Sequence, residues 1–349
     1  MKKSFFDFFP TPKFLEMPAP GMALTDSGIT FIELSSHPEG LQIERYGSSA
    51  LPQGLIVGGV IKDQEHFVHA LENFRKSFKL QHIRTSFPEE RAYLFQTTVP
   101  DVNMNDLRGA VEATIEENVP LSVAEVVFDY NVLPHTELTP QGKINVSVSV
   151  IPETVVLEYL SAFRAAGFIP LHFDVESQAV TKALIPPNDV GVSLIINLNT
   201  TKAGIYIVSD SAVTFSSTIT ISPPTKPRQR SSQTQNKNEK LAQKDIVAEC
   251  PSLPVLVQEI KKVFLYWQAQ ADRRNERPRT IERIIVCGDE GGRSGITGYI
   301  GNETGLRTEL GNVWRNVCSF EHYVPKIPLA ESLAYAGAIG LALPHQDVS

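Results

Sequence analysis

Three short stretches carry residue types and spacings that could hold an anion. Thr25-Asp26-Ser27-Gly28 precedes the β-rich run Ile29–Leu34, and the strand-like pattern begins at Gly21. Asn197, Asn199, Thr200, Thr201 and Lys202 cluster where Val192–Leu198 turns back toward Gly204–Val208. Gly288-Asp289-Glu290-Gly291-Gly292 follows the apolar run Ile281–Cys287 and precedes a helical pattern at Ile296–Thr304. Turns rich in Gly, Ser and Thr aim successive backbone N–H groups at one point and so make anion nests. A glycine loop entering a helix adds the positive end of the helix dipole. Phosphate is the chemistry such groups would serve, though each stretch alone is more often an ordinary tight turn.

Other chemistry is not indicated, and no catalytic or metal-ligating set is assigned. His66 and His69 share a helix turn without acidic or sulfur ligands nearby. Cys250, Cys287 and Cys318 are widely spaced and form no CxxC, which disfavours a zinc site or a disulfide scaffold. Neither a Walker A string nor GxSxG nor HExxH occurs. Glu116-Glu117 read as solvated acids at a helix end. With 32 Lys+Arg against 39 Asp+Glu, the net charge of −7 argues against nucleic acid as the main partner. Asp7, Pro10 and Pro12 interrupt the start before a signal-peptide core can form, and no run of apolar residues is long enough to span a membrane. A cytoplasmic protein is expected.

The elements that must place these stretches follow from periodicity. Leu41–Tyr46 alternates with period two, so a meander of strands opens the chain. Asp63 can cap a helix whose Phe67, Leu71, Phe74 and Phe78 repeat at helical spacing. Strand Tyr93–Val99, helix Asn105–Asn118, strands Val126–Leu133 and Ile144–Ile151, and helix Glu153–Ala166 ending at Gly167 make a β-α-β-β-α unit. Strand Leu171–Val175 and helix Ser177–Leu184 return to the first body. Val192–Leu198, Gly204–Val208 and Val213–Ile221 then repeat the opening meander, which predicts two lobes on one plan. Ser222–Glu249 is polar and basic, and reads as a disordered loop. Helix Leu253–Ala271 and the late helix Glu331–Leu343 follow. The small residues of that last helix suit close packing under a sheet. Phe5, Phe6, Phe8 and Phe9 mark an N-terminal tail.

The order of elements and several strings resemble the PilM family of type IV pilus assembly proteins. The strongest likeness is Glu116–Leu133, EENVPLSVAEVVFDYNVL, where acids end a helix before Pro and an "EVVxDYxVL" strand. Gly21–Leu34, Tyr46–Asp63, Val156–Glu176, Glu259–Gln268 and Ser332–Leu343 are similar to further family segments. The resemblance implies an α/β, actin-like (ribonuclease H-like) two-lobed fold with an inserted β-α-β-β-α subdomain. The implied limits are a tail at 1–17, a first lobe at 18–81 plus 171–187, an insertion at 82–170, and a second lobe at 188–349 containing the loop 222–249.

The resemblance also implies a cytoplasmic scaffold peripheral to the inner membrane. It would bind the cytoplasmic tail of a PilN-like membrane protein in a groove flanked by Asn118, Val119, Pro120, Leu121 and Tyr130. Homo-oligomers are possible on this reading. The implied cofactor is ATP, held by Thr25, Asp26, Ser27, Gly28, Asn197, Asn199, Thr200, Thr201, Lys202, Gly288, Gly291 and Gly292. The motifs are degenerate. Ala23 and Asn197-Leu198-Asn199 stand where the family has Asp-x-Gly hairpins, and Lys202 stands in a run that is usually Thr-rich. Magnesium prefers carboxylate oxygens, so magnesium is not expected and ATP binding should be weak or absent. An active ATPase or kinase is the alternative, with Asp174 or Glu176 as the substitute carboxylate. FtsA-like division or GspL-like secretion proteins are a further one, disfavoured by the polar ending Pro344–Ser349.

Overall fold

The computed structural model describes residues 19–133, 139, 141–225, 246–274 and 279–344. The Phe-rich tail, most of the basic stretch 222–249 and the polar ending lie outside the described residues.

In chain order the elements are β1 (Gly21–Leu24), β2 (Gly28–His37), β3 (Gly40–Ala50), β4 (Ile56–Val57), β5 (Val60–Ile61), α1 (Gln64–Phe78) and β6 (His82–Phe87). Next come β7 (Tyr93–Pro100), α2 (Met104–Glu112), α3 (Ile115–Asn118), β8 (Val126–Val132) and β9 (Lys143–Pro152). Then follow α4 (Glu153–Ala165), β10 (Ile169–Val175), α5 (Glu176–Leu184), β11 (Val192–Leu198), β12 (Lys202–Ser209) and β13 (Ala212–Thr220). The last are α6 (Leu253–Arg274), β14 (Arg283–Cys287), α7 (Ile296–Thr304), β15 (Thr308–Leu310), α8 (Leu329–Ser332) and α9 (Ala336–Ala342).

The first sheet has the order β10-β6-β1-β2-β3 and the second β13-β12-β11-β14-β15. Each begins as an antiparallel meander. Each then gains two parallel strands beside the meander's first strand, delivered by helical crossovers. The two lobes are therefore one topology used twice, as the repeated meander predicts. Local chemistry explains the pieces. The Asp63 carboxylate accepts from the His66 amide at 3.1 Å and starts α1, and Lys79 ends it in the left-handed region at φ 53°. Phe67, Leu71 and Phe74 face the first sheet and are buried with Tyr159 and Phe163 of α4. Every residue of β11 and β12 is buried, as expected for central strands covered on both faces.

The insertion is narrower than 82–170. His82–Phe87 pairs in parallel with β1, and α4 packs with α1 on the first lobe. What remains is the antiparallel sheet β7-β9-β8 with α2 and α3, closed over Val99, Leu107, Val111, Ile115, Phe128, Val146 and Val148. The helix expected over 105–118 breaks at Ala113-Thr114, where the Thr114 hydroxyl donates to the Val111 carbonyl at 2.8 Å. The late helix breaks too, with a 3₁₀ turn at Leu333–Tyr335 between α8 and α9.

The second lobe does not hold everything after residue 188. α9 packs on β1 of the first sheet and against α5, so the last helix among the described residues crosses back. Its small residues permit this. A Cβ on Gly340 would lie 1.7 Å from the Ala179 carbonyl oxygen, and one on Gly21 would lie 2.0 Å from the Ala338 oxygen. α5, α9 and the inner faces of both sheets share one apolar cluster, which makes the lobe junction a core rather than a hinge alone. Among the described residues, no helix is long and apolar enough to cross a membrane.

Candidate functional site

The duplicated meanders bring their tips to one cleft. Each turns over two residues. Around Asp26-Ser27, the Thr25 amide donates to the Gly28 carbonyl at 2.9 Å and the Gly28 amide donates to Thr25 Oγ1 at 3.1 Å. Around Thr200-Thr201, the Asn199 amide donates to the Lys202 carbonyl at 2.9 Å. The second tip is tied down further: Thr200 Oγ1 donates to Asp289 Oδ2 at 3.0 Å, and the Asp289 amide donates to Asn199 Oδ1 at 3.3 Å.

Between the tips stands Lys202, only 4% exposed. Its ammonium lies 2.7 Å from Glu176 Oε2 and 3.3 Å from Glu90 Oε1. The second Glu176 oxygen accepts from Asn197 Nδ2 at 2.9 Å. Burial opposes the Lys202 charge, but Glu176, Glu90 and Asp26 outweigh it and hold the ammonium above the ordinary lysine range. Burial raises the Asp26 carboxyl, and the Glu90 charge adds to this against the pull of Lys202. Burial likewise raises Glu176.

Glu89 sits beside this group in the 3₁₀ turn between β6 and β7. It accepts from the Ser177 amide at 2.8 Å and from Ser177 Oγ at 3.0 Å, at the first turn of α5. Burial pushes its carboxyl up to about 7, against the pull of Ser216 on β13 and of Ser177. The folded pKa exceeds the unfolded one, so this residue favours the native state below pH ~4.5 and loses that advantage as pH rises through 7. A shift of this size corresponds to about 3 kcal/mol. Glu89→Gln is expected to flatten the decline in stability between pH 5 and 8, read from urea midpoints across that range. Parallel profiles for the two proteins would contradict the assignment.

The glycine loop is not an open cradle. The Gly288 amide donates to the Leu333 carbonyl at 3.1 Å, Glu290 to Leu198 at 3.1 Å and Gly291 to Gly288 at 3.2 Å. Glycine is required here by close approach: a Cβ on Gly288 would meet the Leu198 oxygen at 2.3 Å, and one on Gly291 the Cys287 oxygen at 2.3 Å. Gly292 is half-buried in the same turn. Beside Glu290, the space lined by Leu198, Ile221, Cys250 and Leu253 is about 20 Å³, room for one water rather than a base.

These residues do not fit a metal-bound polyphosphate. Asn199 Nδ2 and Thr201 Oγ1 are buried without hydrogen-bond partners and could meet an acceptor. Against them stand the carboxylates of Asp26, Glu90 and Glu176, and an ammonium already engaged by two of these. Asp174 is no spare base either. Its Oδ2 lies 2.5 Å from Lys182 Nζ and its Oδ1 accepts from the Val175 amide.

The residues expected to flank a peptide groove divide. Val119 is 3% exposed in the insertion core and offers no surface. Asn118 is exposed at the end of α3, its amide donating to the Thr114 carbonyl. Pro120 is exposed, and Leu121 and Tyr130 are half-buried against the insertion core. Sequence reasoning missed Glu89 and Glu90. Acids after Pro88 look like any solvated turn, and their partners lie 88 and 112 residues away.

A family model described as type IV pilus assembly protein PilM matches residues 21–219. Among curated proteins no sequence matches this one. The structure of a PilM-PilN type IV pilus biogenesis complex superposes with a TM-score of 0.71 at 18% identity, covering 93% of this chain and 98% of that chain. Ethanolamine utilization protein EutJ from Carboxydothermus hydrogenoformans gives 0.48 at 10% identity over 95% and 90% of the two chains. MreB5 of Spiroplasma citri bound to ADP gives 0.39 at 12% identity over 91% and 94%. The fold is α/β and actin-like, as the sequence resemblance implies.

Proposed function

The chain belongs to the PilM family of type IV pilus assembly proteins, and from that membership we propose that it is a scaffold that captures the cytoplasmic tail of a PilN-like membrane protein. It would sit at the inner face of the membrane through that partner and bind ATP weakly or not at all. The observation that carries the reading is the family match over 21–219, which spans the first lobe, the insertion and the second meander. The likeness to a fold solved in a PilM-PilN complex supports it.

The insertion offers a suitable surface. β8 is an edge strand of its sheet, so an extended peptide can add to it by main-chain hydrogen bonds. Val127 is 46% exposed there, with Pro120, Leu121 and Tyr130 alongside. Exposed acids surround that edge: Glu116, Glu117, Glu125 and Asp129. Tails on the cytoplasmic side of a membrane span carry excess Lys and Arg, so the charges are complementary. An ATPase or kinase would need a carboxylate free to act in the cleft. Asp174 and Glu176 are instead held by Lys182, Lys202 and Asn197.

The test is fluorescence anisotropy with a labelled synthetic tail. Asp129→Lys and Tyr130→Ala are each expected to weaken binding at least tenfold, and raising salt from about 50 to 300 mM to weaken it further, since surface charges are screened. Val255→Ala, an exposed change on α6, should leave affinity as it is. Equal affinity for Asp129→Lys and the unaltered protein would move the tail site elsewhere.

A further inference from the structure

We infer that Lys202 does in this chain what a bound ligand does in a two-lobed cleft: it holds the lobes and the insertion together from within. Its backbone belongs to β12 of the second sheet. Its ammonium reaches Glu176, the first residue of α5 at the lobe junction, and Glu90, in the turn that leads into the insertion. Asp26, at the tip of the first meander, completes the surrounding charge. One side chain thus engages the second lobe, the first lobe and the turn that leads into the insertion. An ammonium suits this place. It is a compact charge with three donors, here shared between Glu176 Oε2 and both oxygens of Glu90 at 3.3 and 3.5 Å.

The same arrangement closes the cleft to polyphosphate. Glu176 and Glu90 already hold the ammonium, so an incoming phosphate chain finds no free cation there and meets carboxyl oxygens at short range in a poorly solvated space. A divalent cation would have to displace the ammonium from Glu176. Asn197, standing where a metal-binding acid would be expected, instead donates to Glu176 and completes its coordination. Closure here is therefore built in and independent of nucleotide. This inference stands on the cleft geometry and not on the pilus reading.

Hydrogen–deuterium exchange on the full chain tests it. Three variants are compared with the unaltered protein: Lys202→Met, the pair Lys202→Met with Glu176→Gln, and Glu90→Gln at the half-exposed partner. In the first two, amides at 25–28, 89–91 and 199–202 should exchange at least tenfold faster, and in the paired variant, where most of the global stability is regained, β14 should keep its rate. Glu90→Gln should give a two- to threefold rise at the same places. Adding ATP with magnesium to the unaltered protein should change those rates by less than twofold. Should Lys202→Met alone not fold, the paired variant and Glu90→Gln carry the same readout, since neither leaves Glu176 charged and without its cation. Exchange in the paired variant as slow as in the unaltered protein would overturn the inference and leave closure to the α5–α9 contact alone. So would tenfold protection of the tips by ATP with magnesium.

Discussion

Gly340→Ala is expected to abolish accumulation of folded protein, or to leave a form destabilised by more than about 4 kcal/mol. A Cβ there would lie 1.7 Å from the Ala179 carbonyl oxygen and 2.6 Å from its carbon, both backbone atoms of α5. No side-chain rotation relieves such an overlap. The helices must move apart, and with them the cluster of Ala23, Ala183, Ile195, Tyr206, Leu333 and Ile339 that joins the two sheets. Ordinary overpacking costs roughly 1–3 kcal/mol because flexible side chains yield, and here they cannot. Gly298→Ala on α7 is the matched control, since a Cβ there meets nothing within 4 Å. It should be neutral or gain up to about 1 kcal/mol from helix propensity. Soluble yield and thermal unfolding of the two variants decide the matter, and a Gly340→Ala protein that melts like the unaltered one would contradict the junction described above.

The second large effect belongs to Lys202→Met, expected to cost about 3–5 kcal/mol because it strands Glu176 as a buried charge without its cation. Methionine matches the length of the lysine stem, so the loss is electrostatic rather than a cavity. Adding Glu176→Gln should restore most of the lost stability, because a neutral amide can still accept from Asn197 Nδ2 and no longer needs the ammonium. Urea unfolding of the two single variants and the pair gives the coupling directly. Additive losses would mean that Lys202 and Glu176 do not act as a unit.

Much of this architecture is legible in the chain because it is written in local patterns. The β-branched runs at Ile29–Leu34, which follows a polar tip, and Val192–Leu198, which leads into one, reveal the two meanders. The spacing of Phe67, Leu71 and Phe74 reveals α1, and the small residues of 334–342 reveal close packing. What stays hidden is pairing at long range. Nothing around His82 says that it joins β1 rather than the insertion, since that choice depends on which strand has a free edge after the chain has collapsed. Val119 follows a helix and precedes a proline, which looks like a surface turn until the insertion closes over it. Glycine at 288 and 291 reads equally well as an anion cradle or as a tight approach of backbones. The Leu333 and Leu198 carbonyls decide for the second. Lys202 is visible in the sequence as a departure from the family's Thr-rich run. Its meaning appears only with Glu90, which lies 112 residues away.

A calorimetric titration of the full chain with the basic cytoplasmic tail of a PilN-like membrane protein, carried out with and without ATP and magnesium, tests the proposed function most directly. One tail bound per chain is expected, with affinities in the two conditions agreeing within about twofold, because in the proposal Lys202 closes the cleft and the tail adds to the edge strand β8 of the insertion. Tail binding that appears only when nucleotide is added, or that is missing in both conditions, would contradict it.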